Sequence, residues 1–280
     1  IPPSQKDLRR RRILIGIGAL IAIACAYLSR TFLWAAVWPE QFNVATQVEN
    51  VTNGITKWIL ANLEIFTEGF KNLISYGVLN PLESLLAGSP WYVTVGFVVT
   101  LAFLVAGFRI ALLSLSLSLL IVLSGLWYES MLTLTQTIVG TLLTMLVGMA
   151  LGIWTGRNDR VEKFLRPFLD AGQTLPAFVY LVPMLGLFGP TRFTAIATGI
   201  VYSIPIVVKI VCEGIRSVPY SLVEAATAAG STTKQIITKV QLPAAKRTIL
   251  LAVNQGLIYV LAVVVIGGLD RKSTRLNSSH

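Results

Sequence analysis

Residues 224–243 read EAATAAGSTTKQIITKVQLP, a polar stretch placed between two long apolar segments. Just upstream, Pro219 favours the start of a helix. Ser221 and Glu224 have the spacing of a capping box, in which each side chain satisfies a free backbone N–H at the helix start. Gly230 can adopt the left-handed conformation that ends such a helix. The first half of the stretch therefore predicts a short helix closed by a glycine turn.

The second half predicts another short helix. Thr232 and Gln235 again have capping-box spacing, and we expect this helix to end near Leu242, because Pro243 disfavours helix in the residue before it. The preceding helix offers a surface of small side chains, namely Ala225, Ala226, Ala228 and Ala229. Two interpretations of the resulting hairpin stay open: it folds back on its own helical bundle, or it docks a partner protein.

The composition around this stretch is that of a membrane protein. The chain has 280 residues, of which 54% are hydrophobic and 13% charged, with a mean hydropathy of +0.72. A soluble domain carries about twice that charged fraction, and the apolar residues gather in blocks near bilayer length. We therefore expect an all-α, polytopic membrane protein. Two cysteines and one histidine suit neither a disulfide framework nor a histidine metal site, so no metal is expected.

Seven apolar segments have lengths near that of a membrane span. They are residues 13–38, Trp91–Ala106, Ile110–Trp127, Met131–Thr155, Thr174–Phe188, Phe193–Cys212 and Ile249–Gly268. The first is expected to be a retained transmembrane anchor; the alternative is a signal peptide cleaved near Cys25. In the fourth segment and just after its end, Gly148, Gly152 and Gly156 recur at every fourth position, which predicts close helix packing rather than a ligand site.

The charge distribution predicts how the spans are oriented. A net charge of +10 is also typical of nucleic-acid-binding proteins, but basic residues in a membrane protein mark the cytoplasmic side. Most of them fall inside if the N-terminus, with its basic residues 1–12, lies in the cytoplasm. Residues 39–90 are then an external amphipathic helical segment, lying on the bilayer or packed against the spans. No nucleic-acid partner is expected.

The remaining boundaries follow from this topology. Residues 91–270 form the expected transmembrane domain, and residues 213–247 form its longest cytoplasmic loop. The final string, residues 271–280, is polar and follows an apolar segment that stops in mid-pattern. We expect it to be a non-native tail; a native polar tail is the alternative.

The spacing of the quoted stretch resembles a known family motif. EAA, three residues, Gly230, nine residues, Val240, one residue and Leu242-Pro243 are similar to the EAA loop of ATP-binding-cassette importer permeases, with Val240 in place of the usual isoleucine. DAGQTLPAFVYLVPMLGLFG at 170–189 and KVQLPAAKRTILLAVNQGL at 239–257 resemble the glycine betaine/proline branch of that family. The resemblance covers about residues 132–269.

This resemblance implies a type I importer transmembrane domain of about seven spans in a bacterial or archaeal cytoplasmic (inner) membrane. The EAA loop would be a coupling helix seated in a separate ATPase subunit. Glu224, Ala225 and Ala226 would form the docking face and Gly230 the turn, while Leu242 and Pro243 end the motif. The permease would pair as a homodimer and receive its cargo from an external substrate-binding protein. That cargo would be glycine betaine, proline or a related compatible solute.

The chain itself is not expected to be an enzyme. A phosphate-binding loop needs two glycines at fixed spacing before its lysine, and Gly230 to Lys234 lacks the second glycine and the spacing. ATP and Mg²⁺ are therefore expected on the partner ATPase, with no cofactor in this chain. An intramembrane enzyme is disfavoured because no nucleophile–base pair or metal cluster stands out.

Polar side chains within the apolar segments are candidates for a translocation path, because they are costly inside a bilayer; Pro176 is added because a proline can break its span and free backbone carbonyls. The candidates are Gln136, Gln173, Thr174, Pro176, Tyr180, Tyr202, Asn254 and Gln255. Each has a simpler alternative as a contact between helices. The tryptophans fall near membrane borders, so no aromatic cage is predicted. Lys209 and Glu213, one turn apart, are expected to pair.

Two alternative functions stay open. The same architecture could carry choline, carnitine or taurine. An ion-coupled secondary transporter is less favoured, because it predicts acidic relays within the spans and internal repeats. The apolar segments show no deeply placed Asp or Glu.

Overall fold

A computed structural model describes the backbone of residues 5–31 and 44–277, and the chain divides into two units, Ile1–Lys57 and Trp58–His280. Every regular element in the described ranges is helical. The expected all-α fold class is therefore confirmed.

The first unit contains α1 (Gln5–Thr31) and the beginning of α2 (Val44–Ile74). The side chains from Ile13 to Leu28 are all exposed, as befits an apolar helix that faces lipid. The predicted anchor 13–38 thus follows α1 as far as Thr31, and its last residues lie outside the described ranges. Residues 5–12 of the predicted basic N-terminus are also part of α1.

The second unit begins within α2, which passes into a π-helical turn at Ser75–Leu79 and then into α3 (Asn80–Leu86). Ile74 and Leu79 are buried in one apolar cluster with Val139, Phe193 and Ile196. Glu83 accepts a hydrogen bond from the Arg192 guanidinium. The last part of the predicted external segment is therefore packed against long apolar helices of its own unit.

Three long helices form the centre of the second unit: α6 (Trp127–Arg157), α9 (Arg192–Arg216) and α11 (Lys246–Asn277). The glycine stripe of α6 faces a buried stripe of α9 made of Val207, Val211 and Ile215. A Cβ atom added to Gly152 would lie 2.6 Å from the Cβ of Val211. The predicted role of the stripe in close packing is confirmed.

Helices α4 (Trp91–Ala106) and α5 (Phe108–Leu123) precede this bundle, and α7 (Asp159–Thr174) and α8 (Ala177–Phe188) lie between α6 and α9 in the chain. Helices α7 and α8 are bent by 100° relative to each other. The bend falls at Leu175–Pro176, because proline disfavours helix in the residue before it. The predicted span that starts at Thr174 is therefore the α8 helix, with Thr174 closing the amphipathic α7.

The helices account for the predicted spans in three ways. Helices α6, α9 and the Lys246–Gly268 part of α11 are each long and apolar enough to cross a bilayer. The count reaches five if two bent helix pairs each form one broken span, Ile65–Leu86 with Trp91–Ala106 and Asp159–Thr174 with Ala177–Phe188. Ile13–Leu28 and Phe108–Leu123 are apolar helices of shorter length. All seven predicted segments thus correspond to apolar helices, in whole or in part.

Candidate functional site

The predicted coupling loop opens with α10 (Tyr220–Ala228), but its start differs from the prediction. Pro219 is the N-cap residue, and no side chain caps the helix. Ser221 already lies in the first turn, so its hydroxyl is not in the N-cap position that a capping box requires. The capping box expected for Ser221 and Glu224 is therefore wrong, whereas the favourable effect of Pro219 on the helix start is confirmed.

The glycine turn after α10 has the expected form. Gly230 has φ +78°, the left-handed region that favours glycine. Its N–H donates to the Thr227 carbonyl at 2.9 Å, and the Ser231 N–H donates to the Ala226 carbonyl at 3.0 Å. These two bonds make a Schellman motif, which satisfies carbonyls left free at the helix end.

The second capping box is confirmed, but the helix it starts continues further than predicted. The Gln235 side chain accepts from the Thr232 N–H at 2.8 Å, and the Thr232 hydroxyl accepts from the Gln235 N–H at 3.4 Å. A π-helical turn at Ile236–Gln241 and a helical turn at Leu242–Ala244 follow. Pro243 is tolerated because it lies in the first turn of a new helical segment, where its missing N–H needs no acceptor.

The loop has an outer face and an inner face. Glu224, Ala225, Gly230 and Pro243 are exposed, and Ala226 is half-buried. On the inner side Leu242 packs against a cluster made of Val207, Val211, Ile215 and Ala252. A charged hydrogen bond from the Arg157 guanidinium to the buried Gln241 side chain adds a second attachment. The loop is thus fixed to α6, α9 and α11, while its predicted docking residues remain accessible.

Sequence reasoning missed both Arg157 and Gln241. The two residues are 84 positions apart, and a basic residue at the end of a helix gives no local sign of such a partner. Gln241 stands within the motif, between Val240 and Leu242, but at one of its unspecified positions.

The structure brings two of the predicted path residues together and adds a third. The rings of Tyr180 and Tyr202 have centroids 5.7 Å apart, and those of Tyr202 and Tyr259 5.4 Å apart. The Tyr180 hydroxyl donates to the Gly172 carbonyl at 2.7 Å. Tyr259 was missed, although it follows Gln255 by four residues and so shares its helix face.

Gln173 follows Gly172 on α7. Its Oε1 accepts from the Lys209 Nζ at 3.0 Å, while its Nε2 is buried and has no acceptor among the described residues. Lys209 also donates to Asp170. The pairing expected between Lys209 and Glu213 is wrong, because α7 packs along α9 and places the Asp170 carboxylate within reach of the lysine.

Charged residues continue along the contact between α7 and α9. The guanidinium of Arg216 binds the Asp159 carboxylate at 2.6 Å, which adds a second ion pair to that of Lys209 and Asp170. The hydrogen bond from Lys209 is the main cause that lowers the pKa of Asp170 below its ordinary value. A cavity of about 370 Å³ lies here, lined by Thr155, Glu162, Arg166, Leu169, Asp170, Lys209, Cys212, Glu213 and Arg216.

The other predicted path residues stand apart from the tyrosines in the described contacts. Thr174 and Pro176 flank the bend between α7 and α8, where the Thr174 hydroxyl bonds the Ala171 carbonyl at 2.8 Å. Asn254 is exposed and Gln255 half-buried on α11. No cluster of three or more His, Cys, Asp or Glu suited to a metal ion occurs in the described part of the chain.

The chain is similar to known membrane components of transport systems. Residues 147–268 match the family described as binding-protein-dependent transport system inner membrane component. The chain is 35% identical over 219 residues to the glycine betaine/proline betaine transport system permease protein ProW of Escherichia coli, covering 78% of this chain and 61% of that protein. It is 27% identical over 259 residues to the trimethylamine N-oxide transport system permease protein TmoV of Ruegeria pomeroyi, covering 92% of this chain and 39% of that protein.

A third relative is matched over most of both chains. The glycine betaine transport system permease protein OpuAB of Bacillus subtilis is 31% identical over 220 residues, which cover 79% of this chain and 78% of that protein. The chain spans less than two thirds of the Escherichia and Ruegeria relatives. With this match and its apolar helices, the chain is a multi-pass membrane protein that belongs to the family of binding-protein-dependent transport system inner membrane components, the permeases of ATP-binding-cassette importers.

Proposed function

We propose that this chain is the membrane-spanning subunit of an ATP-driven importer of glycine betaine and related compatible solutes. The observation that carries the proposal is the two-sided coupling loop. Its outer face, with Glu224 and Ala225, is free for a partner, whereas Leu242 and Gln241 attach its inner face to the helical bundle. Such a loop can pass a displacement from a docked protein to the spans.

The partner at the outer face is a separate ATPase subunit, which carries ATP and Mg²⁺. The small side chains of Ala225 and Ala226 let another backbone approach closely, and the Schellman turn at Gly230 keeps α10 at a fixed angle to the segment that follows. A movement of α10 then pulls on α6 through Gln241 and Arg157. The exposed outer face supports the docking interpretation, and this attachment gives a docked partner a connection to the bundle.

The cargo is proposed from chemistry shared by the relatives. Glycine betaine and trimethylamine N-oxide, named for three of the related permeases, both carry a trimethylated nitrogen beside an oxygen acceptor. An external substrate-binding protein delivers this cargo to a homodimer of permeases. The complex lies in the inner membrane, with the N-terminus and the coupling loop on the cytoplasmic side, as the basic residues indicate.

Uptake of labelled glycine betaine tests this function. The complete reading frame is expressed with its neighbouring ATPase and binding protein in cells that lack other osmolyte importers. Unlabelled proline, choline, carnitine and taurine serve as competitors. We expect glycine betaine uptake that disappears when the ATPase is omitted. Uptake that persists without any ATPase would falsify the coupling mechanism. Preferential uptake of a competitor would mean that the competitor is the cargo.

A pair of substitutions at Gly230 tests the coupling loop itself. Gly230→Asn keeps a residue that tolerates φ +78°, whereas Gly230→Val places a β-branched residue there at a cost of about 1–3 kcal/mol. We expect the valine variant to assemble in the membrane but to lose most uptake and ATPase binding, while the asparagine variant keeps both. Equal behaviour of the two variants would mean that the turn is not needed for docking.

A further inference from the structure

Three tyrosines from three helices meet in the unit Trp58–His280. Tyr202 on α9 contacts Tyr180 on α8 and Tyr259 on α11, with ring planes tilted by 55° and 36°. Tilted rings cover one another only in part, and all three side chains are half-buried. No hydrogen bond to the hydroxyl of Tyr202 or Tyr259 is found in the described ranges, and neither hydroxyl is among the buried polar atoms that lack a partner. The cluster is thus only partly closed by protein.

A buried donor without an acceptor in the described ranges lies on the residue that follows Gly172. Because Gln173 Oε1 accepts from Lys209 at 3.0 Å, the orientation of the amide is fixed and its Nε2 points the other way. That Nε2 is buried without an acceptor in the described part of the chain, whereas buried donors are nearly always satisfied. Gly172, whose carbonyl binds the Tyr180 hydroxyl at 2.7 Å, is its chain neighbour. Tyr180 therefore links the tyrosine cluster to the part of α7 that carries this donor.

The two features suit opposite ends of a zwitterion. A quaternary ammonium group has no N–H to donate, so the face of an aromatic ring is its matched environment. A carboxylate or oxide oxygen is the acceptor that an unpaired amide N–H₂ lacks. Asp170 already pairs with Lys209, so the lysine acts mainly to orient the amide rather than to bind cargo as a free cation.

We propose that Tyr180, Tyr202, Tyr259 and the Gln173 amide form an aromatic station within the permease, where a solute with a trimethylated nitrogen and a nearby oxygen acceptor rests during its passage. The ring faces hold the ammonium head, and the amide donates to the oxygen. This inference rests on the proposed function, since it concerns how that cargo crosses the membrane domain.

Substitutions at Tyr202 test the ring faces in the complete importer, reconstituted with its ATPase and binding protein. Tyr202→Phe keeps the ring and Tyr202→Leu removes it, while Tyr128→Leu changes an exposed tyrosine elsewhere on α6. Labelled glycine betaine uptake and ATP hydrolysis are measured in the same liposomes. We expect the Phe variant within about twofold of the native chain, and the Leu variant about five- to thirtyfold lower in uptake with ATP hydrolysis retained.

The outcomes separate this inference from the proposed function. A native chain that carries no glycine betaine overturns both. If the native chain carries it and Tyr202→Leu matches Tyr128→Leu, only the aromatic station is overturned, as it is when Tyr202→Phe loses as much uptake as Tyr202→Leu. Should Tyr202→Leu also lose ATP hydrolysis, the pair Tyr259→Phe and Tyr259→Leu gives the same comparison on α11.

Substitutions at Gln173 test the amide. Gln173→Met removes the donor, and Gln173→Glu replaces it with a carboxylate that still accepts from Lys209 but repels a cargo carboxylate. The aromatic station predicts that uptake falls from the native chain to the Met variant and further to the Glu variant. A purely structural role, as acceptor for Lys209, predicts the reverse order of Met and Glu, and that order would overturn the proposal.

Discussion

The contacts that α9 makes with α6 and with α7 are built in opposite ways. Against α6, glycines such as Gly152 face buried valines such as Val211, and the backbones approach closely. Against α7, Gly172 lies close to Pro205. The rest of that contact includes ion pairs whose partners are partly exposed: Arg216 is 38% and Asp159 80% exposed. Close packing makes the first contact rigid and insensitive to salt, whereas screened ion pairs make the second weak and adjustable. We therefore expect the bundle to move as one body and α7 to move against it.

The largest effect is expected from filling the glycine stripe. In Gly152→Leu the side chain enters space held by Val211, and overpacking of this kind costs about 1–3 kcal/mol. The apparent Tm of the purified protein in detergent should fall clearly. Gly96→Leu is the matched control, since a Cβ at Gly96 meets no atom within 4 Å. A similar loss in both variants would mean that the stripe does not hold the bundle.

A smaller effect is expected from the buried hydrogen bond between the same two helices. The hydroxyls of Thr144 and Ser203 lie 2.9 Å apart and fully buried. Hydrogen bonds between membrane helices contribute about 0.6–1.7 kcal/mol, so Thr144→Val should lower the free energy of unfolding within that range. A double-mutant cycle with Ser203→Ala measures the interaction. Additive effects of the two substitutions would show that the bond is not a source of stability.

The ion pairs between α7 and α9 should contribute a still smaller free energy, and this contribution should depend on salt. Exposed ion pairs contribute about 0.2–1 kcal/mol and are screened by salt. Amide exchange in α7 should therefore quicken between low and high KCl, whereas exchange in α9 stays unchanged. Arg216→Met should remove part of this salt response, and Arg160→Met, which changes an exposed arginine of α7, should not. Equal salt dependence of α7 and α9 would contradict the contrast.

The pH dependence of this contact should be the least visible effect. Lys209 lowers the pKa of Asp170 below its ordinary value of 3.8, so the carboxylate keeps its charge over the whole physiological range. Its contribution to stability is then present above pH 3.8 and is lost only as the pH falls through the lower pKa of the folded protein. Amide exchange in α7, corrected for its intrinsic pH dependence, should be constant from pH 7.5 to 5. Opening of α7 near pH 6 would mean that another titrating group holds α7 against α9.

Local sequence patterns predicted those parts of the molecule that depend on local physics. The turn at Gly230 and the capping box at Thr232 need only their own neighbours, and both are confirmed. The glycine stripe is a periodic pattern within one helix, and its role in close packing is confirmed, although its partner helix was not predicted. The capping box at Ser221 failed because Pro219 sets the helix start two residues earlier. Local spacing alone does not decide between two competing start signals.

Contacts between residues far apart in the sequence could not be predicted from local patterns. Lys209 meets Gln173 across 36 positions, and Arg157 meets Gln241 across 84. Both contacts depend on how α7 and the coupling loop pack on the bundle, and the periodicity of the sequence does not predict this packing. Tyr259 was within reach of a helical argument from Gln255, but its ring contact with Tyr202 depends on the same packing. The role of the predicted docking residues stays a prediction, with their exposure as support.

The π-helical turn at Ile236–Gln241 makes the coupling loop sensitive to its length. Each residue advances an α-helix by about 100°, and a π turn accommodates one extra residue before the helical phase resumes. Deleting one residue within this turn would convert it into a regular α-helical turn and leave the helical phase unchanged, whereas inserting one would rotate Leu242 away from its apolar cluster and carry Gln241 away from Arg157. Insertions of one residue here should therefore be more damaging than deletions of one residue. The orientation of Leu242 towards the bundle thus depends on the number of residues in the loop.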